Sequence, residues 1–341
     1  MASKVNRPDW TALAEPELLQ MRICDLGLGL EDTRVRCLYD QVLDELEERG
    51  FRFKPHMWIS DEWFTPDGVP GFAVPFYLAH EKLKRLELRM MYEVEGGNRA
   101  SCLKILRHEV GHAIDNAYML RRRKRRKELF GDPKKPYPDY YSPKPLSKNY
   151  VLHLDNWYAQ SHPDEDFAET FAVWLATDRW RERYHGWGAL KKLEYMDDLM
   201  GEICEKKPLV STRRREEPVS RIKTTLGEYY EEKRQRYEVA HPSVFDEDLM
   251  RLFSATPKHR RTSRASVFLN KMRRDIRSCV ADWTGTHAYT IDQVIRDMTI
   301  RCRELGLRLT MPEDHTLLNC TVMLTVQTMS YLQTGRHRIA M

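Results

Sequence analysis

Residues 108–112 read His-Glu-Val-Gly-His, and no other stretch of the chain limits its possible architecture so tightly. The pentad sits inside a segment, 98–122, whose apolar positions Leu103, Leu106, Val110, Ile114 and Ala117 recur at helical spacing behind a Gly96-Gly97 break. On a helix, residues four apart project from one face. The imidazoles of His108 and His112 can therefore both reach one ion at about 2.0–2.1 Å, the usual zinc–nitrogen bond. Glu109 lies between them in sequence and can hydrogen-bond a water on such an ion in place of the ion itself. A chain with twelve histidines will produce this pentad by chance now and then, but its strongly helical setting argues against chance here.

A catalytic zinc takes three protein ligands and keeps one position open. A third histidine six residues after His112 would complete an all-histidine set, but Tyr118 stands there. Residues 161–172, Ser-His-Pro-Asp-Glu-Asp-Phe-Ala-Glu-Thr-Phe-Ala, offer a carboxylate in its place. A helix is expected from near Pro163 to about 177, with Glu165 and Glu169 on one face and Phe167 and Phe171 on another. One carboxylate can bind zinc while the other accepts the free ring N–H of a ligating histidine. An acidic helix start, favoured by the helix dipole, would look the same in isolation; beside the upstream pentad the metal reading is preferred.

At this point the blocks His108-Glu109-Val110-Gly111-His112-Ala113-Ile114-Asp115 and Glu165-Asp166-Phe167-Ala168-Glu169-Thr170-Phe171 resemble those of gluzincin metallopeptidases. They are most similar to the bacterial "putative zinc-binding metallopeptidase" family, with a catalytic core like the anthrax lethal factor peptidase domain. The resemblance spans roughly residues 100–180 and implies specific roles. Glu165 would be the zinc ligand, Glu169 the support of a ligating histidine, and Tyr158, seven residues before Glu165, the donor to an oxyanion. One Zn2+ per chain, held by His108, His112 and Glu165, would serve a peptidase that uses a metal-activated water with Glu109 as general base. Two other readings stay open: a zinc amidohydrolase acting on a non-peptide amide, and a nucleic-acid-associated protein. The pair Trp157-Tyr158 also fits plain aromatic core. Asp115, one turn after His112, is expected either to hold nearby backbone or a ligand histidine, or to be an exposed helix aspartate.

The rest of the chain sets the expected frame. A helix is expected over 34–49, with Val35, Leu38, Val42, Leu43 and Leu46 inward and Gly50 ending it, and short strands are expected within 56–75. Over 84–95, Leu86, Leu88, Met90, Tyr92 and Val94 alternate with Glu87, Arg89 and Glu93, which predicts a half-buried strand. Its edge could accept a peptide as an added strand. Helices are expected over 189–206, 219–237, 263–283, 291–305 and 315–333, with Thr290 and Gly306 capping the fourth. The fold class is therefore expected to be α+β: a zincin-like catalytic domain, with a small strand region packed on two metal-bearing helices, and a mostly helical C-terminal part. The expected division is a helical lead-in at 1–50, a catalytic domain at 51–210 with a basic Pro/Tyr-rich insertion at 121–149, and a helical domain at 211–341.

Within that insertion Arg121, Arg122, Arg123, Lys124, Arg125, Arg126 and Lys127 are consecutive cations. They repel one another and are not expected to be buried together, so a solvated extension of the metal helix is expected. A sharper reading makes them a rim for acidic substrates or phosphates. Lys134, Lys135, Lys144 and Lys148, interleaved with Tyr137, Tyr140 and Tyr141, would suit a groove tracking nucleic acid. The whole-chain balance, 56 basic against 51 acidic residues for a net +5, does not itself mark a nucleic-acid binder. Seven scattered cysteines without a CxxC pair argue for reduced thiols in a cytoplasm and against a cysteine zinc site. No run of about 18 apolar residues predicts a membrane span, and the N-terminus lacks the apolar stretch of a secretory signal. The expected partner is a peptide or protein substrate; oligomeric state and cleavage preference are not determined by these residues.

Overall fold

Helices carry most of the chain in the computed structural model, which describes residues 9–138, 140–237, 246–333 and 339–340 and is 60% helix and 6% strand. In order, the first elements are α1 (Glu15–Leu19), α2 (Arg34–Glu48), β1 (His56–Ser60), β2 (Gly71–Pro75), α3 (Glu81–Met91), α4 (Arg99–Tyr118) and α5 (Lys124–Phe130). They are followed by β3 (Tyr140–Tyr141), α6 (Pro163–Ala176), α7 (Trp180–Arg183), α8 (Ala189–Ile203) and α9 (Leu226–Tyr237). The remainder is α10 (Asp246–Leu252), β4 (Phe253–Ser254), α11 (Ala265–Thr284), α12 (Ala288–Glu304), β5 (Arg308–Leu309), α13 (Glu313–Gln333) and β6 (Ile339–Ala340). Two compact units result, one of residues 1–90, 94–229 and 339–341, the other of residues 91–93 and 230–338.

In the first unit α2 begins where the Thr33 side chain accepts from the Arg36 N–H, and it buries Val35, Leu38, Tyr39, Val42, Leu43 and Leu46. That apolar stripe lies on α4. β1 and β2 pair in parallel, from His56 opposite Gly71 to Ser60 opposite Pro75, and β2 also packs on α4. Both strands read as near-continuous apolar runs, as doubly covered parallel strands do. The most extensive helix pairing in this unit is α4 against α6. Gly111 permits it: a Cβ there would sit 3.1 Å from the Ala168 Cα and 3.0 Å from the Phe171 ring.

The strand expected over 84–95 is instead α3, so the peptide-accepting edge expected there does not exist. Leu83, Leu86, Glu87 and Met91 are buried, at offsets of three, four and eight, whereas Leu88 is half exposed. That is a helical period, and Glu, Lys, Arg, Leu and Met at every position favour a helix intrinsically. The alternation across Leu86, Leu88 and Met90 was the aliasing of a helix by leucine-rich sequence.

The basic run also departs from expectation. Met119 takes a left-handed conformation and ends α4, a short turn covers Leu120–Arg122, and α5 starts afresh at Lys124. α5 packs on α6 and α8, so the run is not one solvated face: Arg126 is fully buried while Arg122, Lys124, Arg125 and Lys127 are exposed.

The second unit is a helical cluster in which α11 packs on both α12 and α13. Phe253, Phe268, Leu269, Ile276, Val280, Ile295 and Met298 lie at its centre. Fully buried Asp292 on α12 accepts from Arg273 Nε and Arg277 Nη1, each at 2.7 Å, which ties α12 to α11. α12 is capped by His287, whose side chain accepts from the Tyr289 N–H, in place of the expected Thr290. Among the described residues, no helix is long and apolar enough to cross a membrane, and the seven cysteines are free thiols.

Candidate metal centre

The centre is assembled where α4 crosses α6. His108 and His112 lie one turn apart on α4, and Glu165 lies in the first turn of α6; all three are buried. His108 Nε2 is 3.1 Å from His112 Nε2, and Glu165 Oε2 is 3.0 Å from the former and 3.2 Å from the latter. These three atoms form a nearly equilateral triangle. Tetrahedral ligands about 2.0–2.1 Å from an ion lie roughly 3.3 Å apart, so the triangle fits such an ion with almost no adjustment.

The hydrogen bonding of the donor set points the same way. His108 Nδ1 is 2.9 Å from Glu169 Oε1, so that nitrogen carries the proton and donates to the carboxylate. Its Nε2 then faces the other two ligand atoms. Lone pairs converging at hydrogen-bond distance inside a buried site repel unless a cation or a proton lies among them. Burial disfavours charge on His108, but Glu165 and Glu169 outweigh it and hold its pKa well above the usual imidazole range. Burial likewise opposes charge on Glu165, and His112 and His108 outweigh it, holding that carboxyl well below its usual range. Among the described residues His108, His112 and Glu165 are the one group of this kind placed to hold a metal.

Glu109 stands outside the triangle. Thr65 Oγ1 donates to its Oε2 at 2.7 Å. Thr65 is in turn placed by Asn116, one turn beyond His112, which fastens the turn at 66–69: its Nδ2 donates to the Pro66 and Val69 carbonyls, both at 2.9 Å, and its Oδ1 accepts from Gly68 N–H at 3.1 Å. Glu169 is held from its other side by the Leu154 N–H at 2.9 Å. Tyr158 lies in a 3-10 turn, Asp155–Gln160, that bends through left-handed conformations at Asn156 and Trp157. Its ring centroid is 5.7 Å from that of His108. Burial first, then Glu165 and Glu109, push its pKa well above the usual value, so the phenol keeps its proton.

Asp115 is neither exposed nor bonded to a ligand histidine. It is fully buried, and its Oδ2 accepts from Arg126 Nη2 at 2.7 Å and from Arg121 Nε at 3.3 Å. The same Arg126 Nη2 donates to Asp164 Oδ1 at 2.7 Å, and Arg121 reaches both Asp164 and Asp67. The two arginines therefore bridge the C-terminal part of α4 to the first turn of α6. They were expected on an exposed rim; two inward aspartates supply the counter-charge that lets them turn in. Arg123 pairs with Glu202, and Lys124 and Arg125 pair with Glu128, at the surface.

Two residues of the site were not expected from sequence. Thr65 lies 44 positions before Glu109, and Tyr137 donates its phenol to Glu165 Oε1 at 2.7 Å from 28 positions upstream. Neither belongs to a local motif. Of the flanking histidines, His162 caps α6, its side chain accepting from the Asp164 N–H, and His153 is bonded to the Lys104 carbonyl. Burial lowers the pKa of His153 and keeps it neutral.

A family model described as "Putative zinc-binding metallo-peptidase" matches residues 85–202, about a third of the chain. The match runs from α3 to the end of α8 and includes every residue of the triangle, Glu109 and Glu169. No curated protein and no solved structure matches the chain.

Proposed function

We propose that the chain is a zinc-dependent peptidase of gluzincin type, in which His108, His112 and Glu165 would hold one zinc ion. The observation that carries this reading is the division of labour on α4: two histidines converge with Glu165, while the glutamate between them is held apart by Thr65. Zinc held there would supply Lewis acidity, lowering the pKa of a water to about 7 and polarising a carbonyl.

The remaining work belongs to the chain's own side chains. Glu109 takes a proton from the attacking water at the oxygen not bonded to Thr65, and returns it to the leaving nitrogen. Thr65 restricts the rotation of that carboxylate so that one oxygen is always presented. Glu169 fixes the tautomer and orientation of His108. Tyr158, protonated and beside His108, donates to the oxygen that gains charge as the carbonyl is attacked. Asp115, Arg126 and Asp164 hold the two ligand-bearing helices at fixed spacing. In this reading residues 51–210 form the catalytic domain, and a peptide or protein is the substrate.

The test is a peptide-library digest that compares the wild-type protein with Glu109→Gln, each with its zinc content measured. The variant should keep about one zinc per chain and lose about 10²–10⁴-fold in turnover. Equal digestion by the two proteins would remove Glu109 as the base, and absence of zinc from wild type would remove the metal reading.

A further inference from the structure

Glu165 has two carboxylate oxygens, and the protein treats them differently. Oε2 faces the two imidazoles, and Oε1 accepts from the Tyr137 phenol at 2.7 Å. We propose that Tyr137 is a positioning residue for the metal ligand Glu165, holding Oε1 so that the carboxylate presents Oε2 alone to the metal. This rests on the metal reading given above and adds a residue to it.

Three observations support a dedicated role over an incidental contact. The side chain is half exposed, so its hydroxyl could have been satisfied by water, yet it points inward to the ligand. The ring lies flat on His162, with centroids 3.8 Å apart and planes 19° apart. His162 Nε2 bonds the Lys135 carbonyl at 2.9 Å while its Nδ1 accepts from the Asp164 N–H, which fixes its tautomer. His162 is also the residue that starts α6, and Glu165 follows three positions later. One side chain therefore sets both the beginning of the ligand helix and the place of the loop that restrains the ligand. A carboxylate held by one oxygen cannot close on the metal through both, which keeps coordination positions open for water and substrate.

The experiment uses the full chain, with Zn2+ alone as the probe in a chelator competition and Co2+ as a spectroscopic substitute. Tyr137→Phe keeps the stack on His162 and removes only the hydroxyl. It should lower the melting temperature of the metal-free protein less than Tyr137→Leu does, weaken Zn2+ binding about tenfold, and alter the visible absorption bands of the Co2+ form. Tyr137→Leu should weaken Zn2+ binding at least as much and also lower the metal-free melting temperature. If Tyr137→Phe binds Zn2+ as tightly as wild type and its Co2+ spectrum superimposes, the proposal is overturned while the metal site stands. If wild type binds no Zn2+, the proposal falls together with the metal reading. If the zinc affinity drops as stated but neither protein cleaves peptides, Tyr137 keeps its role and only the peptidase reading is lost.

Discussion

At the scale of single residues, the site depends on which nitrogen or oxygen each group presents, and small changes should separate binding from chemistry. Glu169→Ala removes the acceptor of the His108 Nδ1 proton and leaves the Leu154 N–H without its carboxylate. Zinc affinity, measured by chelator competition, should fall about 10–100-fold; unchanged affinity would show that His108 needs no such support. Thr65→Val leaves the triangle untouched and frees the Glu109 carboxylate, so zinc content should hold while kcat drops. Much of this was legible in sequence. The pentad and the Glu165/Glu169 pair identify themselves because helical spacing converts directly into a shared face. Thr65 and Tyr137 were not legible, since each reaches the site from a loop and has no partner within a helical turn.

At the scale of elements, the site exists because α4 and α6 approach closely, and Gly111 sits at the contact. Gly111→Ala would gain about 0.5–1 kcal/mol of helix propensity. Its new Cβ, however, would meet the Ala168 Cα at 3.1 Å, and backbone cannot swing aside as a side chain can. Overpacking typically costs about 1–3 kcal/mol, so the net change should be destabilising, read as a lower urea midpoint together with weaker zinc binding. A more stable variant would show that the helices can part without cost. The bridge from Asp115 through Arg126 to Asp164 makes a second demand on the same pair of helices. Arg126→Ala would leave two buried carboxylates with only the more distant Arg121 as counter-charge, at a cost of up to about 3–5 kcal/mol by denaturant unfolding. A loss well under 1 kcal/mol would mean that Arg121 alone suffices. The charge run that contains Arg126 gave no hint of this, because seven cations in sequence look alike until the fold brings aspartates to two of them. The segment 84–95 is the opposite failure: its leucines alternate, but the burial of Leu83 and Glu87 belongs to a helix.

At the scale of the whole molecule, the thiols offer a readout that does not involve the metal. Cys102 in the first unit and Cys302 and Cys320 in the second are buried, and burial pushes each thiol up to about 12 from an ordinary value of 9.0. Below pH 9 the folded and unfolded chains both keep these protons, so the thiols contribute no pH dependence. Between about 9 and about 12 the unfolded chain releases them first, and stability should fall as pH rises. Denaturant melts across that range test the sign; a flat or rising profile contradicts it. At pH 8 iodoacetamide should label exposed Cys37 well before these three, as read by peptide mass spectrometry. Early labelling of Cys320 would mean that the core around it opens readily.

The sequence by itself determined which side chains form the candidate metal centre. His108, Glu109, His112 and the pair Glu165/Glu169 follow from side-chain type and helical spacing, which are local properties that survive without knowledge of the fold. The choice of Glu165 over Glu169 as ligand came instead from the family resemblance. Only the tertiary structure decided how those residues are held. Thr65 on Glu109, Tyr137 on Glu165, and Arg126 between Asp115 and Asp164 are contacts across 28 to 44, and 11 to 38, positions of chain. No periodicity records such pairs, because what joins them is the burial of groups that must find a partner once water is removed.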